Sequence, residues 1–463
     1  MAGFYLSAAH KSSGKTTVSL GLVAAFRKRN LIVQTFKKGP DYIDPIWLTR
    51  ASGRPCLNLD FFTSTQNEIL ATWQNYCDAA DISVVEGNKG LFDGMDLEGS
   101  DCNAALAKLL KLPVVLVLDT QGITRGIAPV LAGYEAFDPE IRIAGVILNK
   151  VAGPRHEAKL VAAVERYTDI KVLGAIRKFT GLGIEERHLG LRPANEDDEA
   201  DLKIAELAAI VEDSVDLDAL SQLSAEKDKP ALPETVSLGA VDQRRDLRIG
   251  ISRDAAFGFY YQDDIEKFAR SGVELVTIDT LNDQNLPSHL DGLFLGGGFP
   301  ETHMQALSGN IRLRQQLKQR IDDGLPTYAE CGGLMYLSQE IIWQGDGAPM
   351  VGVLPASTVM QDRPQGRGYI ELKETDEMLW PGAPGQEIIQ GHEFHYSHLE
   401  GLPTDTRFAY HVVRGAGVQD QKDGIIFNNV LASYAHLRDS GQNHWVDRFV
   451  QFVRRCKSGD MPK

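Results

Sequence analysis

The N-terminal segment of the chain places the strongest constraint on its fold. An apolar run over Gly3–Ala8 is followed by a polar loop and then by a helical pattern. The polar loop contains Ser13, Gly14, Lys15, Thr16 and Thr17. In such a strand–loop–helix unit the glycine admits a phosphate close to the backbone, the lysine reaches the β- and γ-phosphates, and the threonine hydroxyl ligates Mg²⁺. We assign these five residues to nucleotide binding, although Ala9 replaces the first glycine of the full motif; an ordinary polar turn is the alternative.

Short apolar runs alternate with helical patterns through the chain, which predicts βαβ units and mainly parallel sheets. The first set of runs comprises Gly3–Ala8, Leu31–Phe36, Ile82–Glu86, Pro113–Asp119, Ile143–Asn149 and Lys171–Ile176. The second set comprises Leu247–Ser252, Val273–Ile278, Gly292–Leu295 and Leu325–Ala329, with β-like stretches over Pro349–Gly368 and Arg407–Val413. A polar, proline-containing segment separates the two sets. We predict an ATP-binding domain over 1–220, a linker over 221–246, a second α/β domain over 247–445 and a C-terminal tail helix over 446–463.

The composition argues against several classes of protein. The chain has 463 residues, 43% of them hydrophobic, which is typical of two or three globular domains. Its net charge of −15 argues against a nucleic-acid partner, because phosphate backbones require clustered lysine and arginine. The five cysteines lack the spacing of zinc sites, and the sequence has neither a signal-peptide pattern nor a membrane-spanning run. We expect a cytoplasmic protein with no membrane partner.

Three acidic residues are candidates for the metal partner of the nucleotide. Glu86 ends an apolar run, as the Mg²⁺-binding acid of a phosphate-loop enzyme ends its strand. Asp41 and Asp44 lie on a predicted loop after another strand. Taken alone, these two aspartates are more typical of turn chemistry and solvation than of catalysis.

A second catalytic pattern lies near residue 330. The segment Pro326–Gly333 predicts a strand, a sharp turn at Cys331 and a helix. Such a turn favours thiolate character and an N–H donor for an oxyanion. The glycine-rich segment Gly296–Glu301 offers a second donor, and His436, after a short apolar run, is the candidate base. A buried structural thiol is the alternative for Cys331. We interpret the other cysteines as structural: Cys56, Cys77, Cys102 and Cys456.

Together the two patterns suggest that a group is made electrophilic with ATP and then aminated with nitrogen from glutamine. Further motifs occur in order along the chain: SSGKTT, FKKGPDYIDP, RPCLNLD, VVEGNKGLFDG, ILNKV, LFLGGGFPE, AECGGLMYL, GHEFHYSHLE and ASYAHLR. With these motifs, essentially the whole chain resembles the cobyrinic acid a,c-diamide synthase family. The resemblance implies an α/β protein with an N-terminal P-loop NTPase-like domain on a mainly parallel sheet and a C-terminal class I glutamine amidotransferase-like domain.

The activity implied by the resemblance is amidation of side-chain carboxylates of a tetrapyrrole or corrinoid acid, at the a and c acetates in the cobyrinate enzymes. A carboxylate is phosphorylated with ATP and Mg²⁺, and ammonia from L-glutamine displaces the phosphate to give an amide, ADP and glutamate. The expected partners are therefore ATP, L-glutamine and the macrocyclic acid, and the expected cofactor is Mg²⁺. Association into a homodimer is left open.

The resemblance also assigns roles in the second domain. Cys331 is the implied glutaminase nucleophile and His436 its base, with the backbones of Gly298 and Gly332 forming the oxyanion hole. Many class I glutaminases have a glutamate two residues after the histidine. Arg438 stands there in this chain, in agreement with its absence from the family.

In the first domain, the resemblance overrides the turn interpretation of the aspartates. The implied catalytic residues are Asp41, Asp44 and Glu86, and the implied metal ligands are Thr16, Asp44 and Glu86. The resemblance implies a substrate-side role for Asp93 and an adenine contact for Asn149, and we add Lys38, Tyr42 and Lys89 as candidate substrate contacts. Lys37, Lys38 and Lys89 add more positive charge than the family leads us to expect. We interpret these lysines as contacts for free substrate carboxylates, with solvated surface lysines as the alternative.

Several functional alternatives remain open from the sequence. The same family includes sirohydrochlorin and siroheme amidases, and the extra lysines tilt the choice slightly towards a carboxylate-rich macrocycle. Phosphate-loop domains also occur in partner-binding regulatory ATPases, which have no use for Cys331 and His436. The intact phosphate loop around Lys15 argues against a stand-alone glutaminase, which would not need ATP.

Overall fold

The computed structural model describes residues 3–178, 186–187, 190–225, 242, 244–382, 388–441 and 443–460. The chain divides into two compact units, Met1–Val236 and Ser237–Lys463. Both units are mixed α/β, which confirms the predicted fold class. No helix in the described ranges is both long and apolar enough to cross a bilayer.

The first unit is built on one parallel sheet. Its strands are β1 (Gly3–Ala8), β2 (Val33–Lys38), β3 (Leu57–Leu59), β4 (Ile82–Glu86), β5 (Val114–Asp119), β6 (Ile143–Val151), β7 (Lys171–Arg177), β8 (Glu186–Arg187) and β9 (Gly190–Leu191). Its helices are α1 (Lys15–Lys28), α2 (Ile43–Ser52), α3 (Gln66–Cys77), α4 (Asn103–Leu110), α5 (Ile127–Phe137), α6 (Pro154–Tyr167), α7 (Ala200–Ser214) and α8 (Leu217–Ser224). The parallel sheet has the order β3-β2-β4-β1-β5-β6-β7, and every neighbouring pair in it is parallel. Strands β8 and β9 form a separate antiparallel pair.

The parallel arrangement explains why the central strands are apolar and where polar residues gather. Every residue of β1, β2 and β4 is buried, as expected of strands in a parallel sheet with both faces covered. The carboxyl ends of parallel strands meet at one sheet edge, which is where ligands bind in such folds. In the first unit this edge carries the loop after β1, the end of β2 and the end of β4.

The second unit combines parallel and antiparallel strands. Its strands are β10 (Leu247–Ser252), β11 (Phe257–Phe259), β12 (Val273–Ile278), β13 (Gly292–Leu295), β14 (Gly297–Gly298), β15 (Thr327–Glu330), β16 (Glu340–Trp343), β17 (Asp346–Pro349), β18 (Ser357–Met360), β19 (Gly366–Glu374), β20 (Ile389–His395), β21 (Ser397–Glu400), β22 (Arg407–Arg414), β23 (Lys422–Phe427) and β24 (Val430–Ser433). Its helices are α9 (Gln262–Arg270), α10 (Met304–Gly309), α11 (Ile311–Asp322), α12 (Gly332–Leu337) and α13 (Trp445–Ser458). The main sheet has the order β12-β10-β13-β15-β24-β23-β22-β19-β20. It is parallel as far as β24 and antiparallel beyond it.

Two predicted boundaries differ from the structure. The linker predicted over 221–246 begins inside α8, which ends at Ser224, and residues 226–241 and 243 of it lie outside the described residues. The tail helix predicted over 446–463 is α13, and it is not a tail. Trp445, Phe449 and Val453 are fully buried in the core of the second unit, so their apolar contacts hold this helix to the sheet. Residues 461–463 lie outside the described residues.

Candidate active sites

The loop after β1 has the geometry of a phosphate loop. Gly14 has a φ of 85°, and a Cβ at this position would lie 2.3 Å from Nδ2 of Asn149, so only glycine fits. Lys15 begins α1 and is largely buried, and its ammonium donates to the carbonyl of Lys89 at 2.5 Å. Burial and the nearby positive charge of Lys37 lower the pKa of Lys15 to about 8. An anion bound in the loop would therefore lie beside the poorly solvated ammonium of Lys15.

Asn149, predicted to read the adenine edge, supports the phosphate loop. Its Nδ2 donates to the carbonyl of Ser13 at 2.9 Å, and its Oδ1 accepts from the backbone of Lys150 at 2.9 Å. Asn149 also lines a cavity of about 270 Å³ beside the loop. Other residues lining this cavity include Gly14, Thr17, Gln121, Arg177 and Val211. Both polar and apolar residues line the cavity, and the adenine contact of Asn149 stays a prediction.

The structure brings two of the three predicted acids into hydrogen-bond distance of Thr16. The Thr16 hydroxyl lies 2.9 Å from Oε1 of Glu86 and 3.3 Å from Oδ2 of Asp44. Glu86 is the last residue of β4, and Asp44 lies in the first turn of α2 rather than on the predicted loop. Oδ1 of Asp41 accepts from the backbone N–H groups of Ile43 and Asp44, so Asp41 also performs the turn chemistry that its sequence context suggests.

Lys37 is the residue of this site that the sequence interpretation misplaced. We expected it to contact free carboxylates of a substrate, but its ammonium lies among the acids of its own chain. It donates to Asp44 and to Oε1 of Glu86 at 2.8 Å, and it lies 3.8 Å from Oδ2 of Asp41. The register explains this, because Lys37 and Glu86 are direct partners on β2 and β4.

The ionisation of this group follows from burial opposed by charge. Burial acts to lower the pKa of Lys37, but the Asp44, Glu86 and Asp41 carboxylates outweigh it and raise the pKa well above its usual value. Burial also opposes ionisation of Asp44, yet the charge and hydrogen bond of Lys37 hold the pKa of that carboxyl below its usual range. Burial and then the charge of Asp44 raise the pKa of Asp41 to about 7. Lys37 thus fills the place of a cation among the acids.

The same residues fit a magnesium ion. Glu86 is fully buried, and its Oε2 has no hydrogen-bond partner among the described residues, which is unfavourable unless a cation or donor satisfies it. The Thr16 hydroxyl and the Asp44 and Glu86 carboxylates are hard oxygen donors of the kind Mg²⁺ prefers. No group of three or more His, Cys, Asp and Glu side chains in the described ranges forms a complete metal site. In phosphate-transfer sites Mg²⁺ generally keeps several waters and takes further ligands from the phosphates.

The four predicted substrate contacts occupy different environments. Lys38 is only 4% exposed, whereas Lys89 and Asp93 are exposed and Tyr42 is buried directly before α2. Oδ2 of Asp93 accepts from the backbone of Gly90 at 2.8 Å, which closes the turn that carries Lys89. Lys89 is therefore open to solvent whereas Lys38 is not, and the roles of both as substrate contacts stay predictions.

In the second unit, Cys331 occupies a strained turn between β15 and α12. Its φ of 47° and ψ of −100° are unusual for a residue with a side chain, and its N–H donates to the carbonyl of Ser433 at 2.7 Å. A Cβ at Gly332 would lie 3.0 Å from the backbone nitrogen of Gly298. The two predicted oxyanion donors therefore lie next to each other, beside Cys331.

The thiol itself differs from the expectation of thiolate character. Burial, followed by the negative charges of Glu301 and Glu330, raises the pKa of Cys331 well above its usual value. The Gly332 N–H lowers this pKa, but α12 has only six residues and its N-terminus does not outweigh burial. Burial therefore opposes the thiolate character that the turn was expected to favour, and a nucleophilic role for Cys331 requires a base.

His436 lies three residues after β24, in a buried position. Its Nδ1 lies 3.4 Å from Oε2 of Glu330, and its ring stacks on His392 with centroids 4.8 Å apart. Burial and the neighbouring His436 lower the pKa of His392 well below its usual value, so His392 is neutral. Arg438, at the position of the missing glutamate, is buried and pairs with Asp263 at 2.7 Å.

Sequence reasoning missed Glu330 and His392 as parts of this site. His392 belongs to the GHEFHYSHLE motif, which gave no role for it. Glu330 directly precedes Cys331, and its position at the end of a strand was the available signal. Both lie near His436 because β15 pairs with β24 and because His392 and His436 form an isolated β-bridge.

Comparison with known proteins identifies the family of the chain. Residues 248–443 match the model of the CobB/CobQ-like glutamine amidotransferase domain, and residues 60–185 match an AAA domain. A cobyrinate a,c-diamide synthase of Magnetococcus marinus is 44% identical, with 99% of this chain and 98% of that protein covered. The enzyme of the same name from Methanosarcina acetivorans is 36% identical over 99% of this chain and 96% of its own length. That from Listeria innocua is 38% identical over 93% and 95%. The chain therefore belongs to the cobyrinate a,c-diamide synthase family of glutamine-dependent carbon–nitrogen ligases.

Proposed function

We propose that this protein amidates the a and c acetate carboxylates of cobyrinate, with ATP as the activating reagent and glutamine as the nitrogen source. The observation that carries the proposal is the pair of sites: a phosphate loop with converging acids in one unit, and a cysteine–histidine pair in the other. The names of the full-length relatives supply the substrate. The reaction then divides into carboxylate activation, ammonia release and amide formation.

In the activation step, a carboxylate oxygen of the macrocycle attacks the γ-phosphorus of ATP. The bond from that phosphorus to the β–γ bridging oxygen breaks, its electrons leave with ADP, and an acyl phosphate results. Lys15 stabilises the negative charge on the transferring group, and the N–H groups of the loop hold the β-phosphate. Mg²⁺ held by Thr16, Asp44 and Glu86 would reduce the repulsion between the triphosphate and the carboxylate.

In the ammonia-releasing step, the Cys331 sulfur attacks the amide carbon of glutamine. His436 accepts the thiol proton and returns it to the departing nitrogen, so that ammonia leaves and a thioester remains. The N–H groups of Gly298 and Gly332 stabilise the oxyanion. Water then hydrolyses the thioester to glutamate. Because burial raises the pKa of Cys331, the attack depends on His436 to accept the thiol proton.

In the last step, ammonia attacks the acyl carbon of the acyl phosphate. The bond between that carbon and the phosphate oxygen breaks, inorganic phosphate leaves, and loss of a proton gives the amide. Each amide therefore consumes one ATP and one glutamine, and the oxygen lost from the carboxylate appears in phosphate.

The environment of Lys38 favours a substrate that carries several carboxylates. Its ammonium forms no hydrogen bond or ion pair with any residue in the described part of the chain, although it is almost fully buried. Burial lowers the pKa of Lys38, and the charges of Asp101 and Asp60 oppose this only in part. An unpaired buried cation is costly, and a substrate carboxylate that pairs with it would remove the cost. Lys89, exposed on the neighbouring loop, suits a second arm.

An apolar surface beside the phosphate loop supports a macrocycle rather than a small acid. Phe92 packs against Phe137 with ring centroids 4.7 Å apart, and Phe137 is 73% exposed. Tyr134 also contacts Phe92 and donates to the carbonyl of Ala9 in the phosphate loop at 2.7 Å. Met95, on the same loop as Phe92, adds a further exposed apolar side chain. A flat ring system with charged arms matches this surface and its flanking lysines.

The nitrogen source tests the proposal first. In Cys331→Ser we expect loss of glutamine-dependent amidation and retention of amidation from ammonium salts. Cys456→Ser, in which a half-buried thiol outside both sites is changed, is the matched control and keeps both activities. Loss of both activities in a folded Cys331→Ser protein would contradict a dedicated glutaminase nucleophile.

The macrocycle is tested by side-by-side turnover of cobyrinate, hydrogenobyrinate, sirohydrochlorin and siroheme. We expect cobyrinate to have the highest kcat/KM, and Lys38→Met to lower it through KM. Higher turnover with sirohydrochlorin would contradict cobyrinate as the substrate. It would support the second candidate function, a sirohydrochlorin amidase, which the uncompensated charge of Lys38 favours. Absence of ADP release with all four acids would leave a regulatory ATPase.

A further inference from the structure

Glu330 adjoins both proposed catalytic residues of the glutaminase site: it precedes Cys331 in the chain and lies close to His436 in space. It ends β15, directly before Cys331, and is 2% exposed. Its Oε2 lies 3.4 Å from Nδ1 of His436. A carboxylate so deeply buried requires partners for both oxygens, and one of them faces the imidazole.

The other carboxylate oxygen is held in place. Oε1 of Glu330 accepts from the hydroxyl of Tyr328 at 2.6 Å and from the backbone N–H of Leu437 at 3.0 Å. Leu437 is the neighbour of His436 in the chain, so one carboxylate contacts both the backbone and the ring of the histidine segment. The two donors fix which oxygen of Glu330 faces the ring.

The place of the usual orienting glutamate is filled by a residue that cannot perform that role. Arg438 is a cation and is committed to Asp263. His392 stacks on the face of the His436 ring, and an imidazole cannot supply the negative charge of the missing glutamate. Glu330 contributes the negative charge that lies against the His436 ring.

We propose that Glu330 is the positioning residue of the glutaminase site and replaces the glutamate absent at position 438. This inference rests on the proposed roles of Cys331 and His436. Glu330 accepts the Nδ1–H of His436, which leaves Nε2 as the basic nitrogen, and its charge stabilises the imidazolium formed when the thiol proton is accepted. The separation of 3.4 Å is long for a hydrogen bond, as such contacts often are before substrate binds.

The fixed Oε1 site makes Glu330→Gln a specific test. Tyr328 and Leu437 both donate, so the amide oxygen of glutamine must take the Oε1 position. The amide NH₂ then faces Nδ1 of His436 and donates to it, which places the imidazole proton on Nε2. That tautomer cannot accept the thiol proton. The isosteric substitution should therefore harm catalysis more than its small change in shape suggests.

The experiment measures kcat and KM for glutamine hydrolysis in Glu330→Gln, Glu330→Ala and Glu330→Asp, with thermal unfolding of each variant. We expect Glu330→Gln to lose at least about 100-fold in kcat, with KM for glutamine within about threefold, by analogy with tautomer inversion in a serine protease triad. Glu330→Asp should retain the most activity, because it keeps the charge, and Glu330→Ala should be no worse than Glu330→Gln. The acidic limb of the pH–rate profile should move to lower pH in Glu330→Ala, because the imidazolium has lost its neighbouring anion.

A purely structural role predicts the opposite ranking, with the isosteric Glu330→Gln the most active of the three. Either that ranking or a kcat within about threefold of the parent in every variant overturns the inference. The ranking of Gln against Asp decides the question even where the alanine variant does not fold. Glu374→Gln is the matched control, because Glu374 is a buried partner of Arg448 elsewhere in the unit, and we expect it to change stability without changing kcat.

Two further measurements separate this inference from the proposed function. Amidation from ammonium salts should be unchanged in all Glu330 variants, since the carboxylate serves only the glutaminase. If Cys331→Ser keeps glutamine hydrolysis, the proposed function fails. If Cys331→Ser loses it while Glu330→Gln keeps it, only the role of Glu330 fails.

Discussion

Replacing Lys37 by methionine tests whether its ammonium occupies the position of a cation among the acids of the first unit. The side chain is 3% exposed, and its Nζ contacts Asp44, Glu86 and Asp41. Lys37→Met keeps most of the apolar volume but removes the charge. The three carboxylates then lose the cation that contacts them, and Lys15 is left as the nearby positive charge. Two of the carboxylates also share hydrogen bonds with the hydroxyl of Thr16.

The expected destabilisation follows from the burial of this ion pair. Removing one partner of a buried pair costs about 3–5 kcal/mol, because the remaining charges lose their compensation. For a domain of 150–250 residues, each kcal/mol lowers Tm by about 2–4 °C. We therefore expect Lys37→Met to lower the melting temperature of the first unit by about 6–20 °C in the absence of divalent metal.

Differential scanning calorimetry with EDTA and with Mg²⁺ is the assay, and Lys89→Met is the control. Mg²⁺ at about 100 times its dissociation constant would restore about 2.7 kcal/mol to Lys37→Met, because it replaces the missing charge. The parent protein, with Lys37 in place, should respond much less in the absence of ATP. Lys89→Met changes an exposed lysine and should shift Tm by less than about 2 °C. The interpretation of Lys37 as the cation of this group would be refuted if Lys37→Met melted within about 2 °C of the parent and if Mg²⁺ left its Tm unchanged.

Three further predictions concern the two sites. Lys15→Ala should abolish amidation from both glutamine and ammonium while glutamine hydrolysis persists, with the exposed Lys11→Ala as control; near-normal amide synthesis would contradict the phosphate-loop assignment. Because burial raises the pKa of Cys331, its alkylation by iodoacetamide without glutamine should rise about tenfold per pH unit from pH ~7 to ~9, and mass spectrometry showing a plateau in that range would indicate a resting thiolate. Phe137→Ser should raise KM for the macrocycle roughly 5- to 30-fold, from about 1–2 kcal/mol of lost contact, whereas the exposed Ile32→Ser should not; equal KM values would exclude the apolar surface from substrate binding.

The fold was accessible from the sequence because its signals are local. Buried parallel strands are continuous apolar runs, and β1, β4, β10, β12 and β13 have the predicted bounds. The acids of the first site could be grouped in advance, because carboxyl ends of parallel strands share one edge. The antiparallel half of the second sheet was seen only as β-like stretches. The strand order of the whole sheet depends on pairings between segments far apart in the chain, such as the parallel pairing of β15 with β24, which no local pattern encodes.

The details of the sites were less accessible, because they depend on burial and on side-chain partners. Alternation along β2 indicates that Lys37 and Lys38 point to opposite faces, but not that one faces acids and the other lacks a partner. The protonation of Cys331 depends on desolvation and on Glu301 and Glu330, which act against the helix N-terminus. Glu330 itself was hidden by its position, since a residue beside a nucleophile is not expected to reach the histidine from another strand.

Transfer of labelled oxygen tests the central claim most directly. Cobyrinate carrying ¹⁸O in its carboxylates is incubated with the protein, ATP, Mg²⁺ and glutamine, and the corrinoid and phosphate are analysed by mass spectrometry. The account predicts conversion to the a,c-diamide, with one ADP, one glutamate and one ¹⁸O-labelled phosphate for each amide formed. Release of unlabelled phosphate, or consumption of ATP and glutamine with the cobyrinate unchanged, would contradict it.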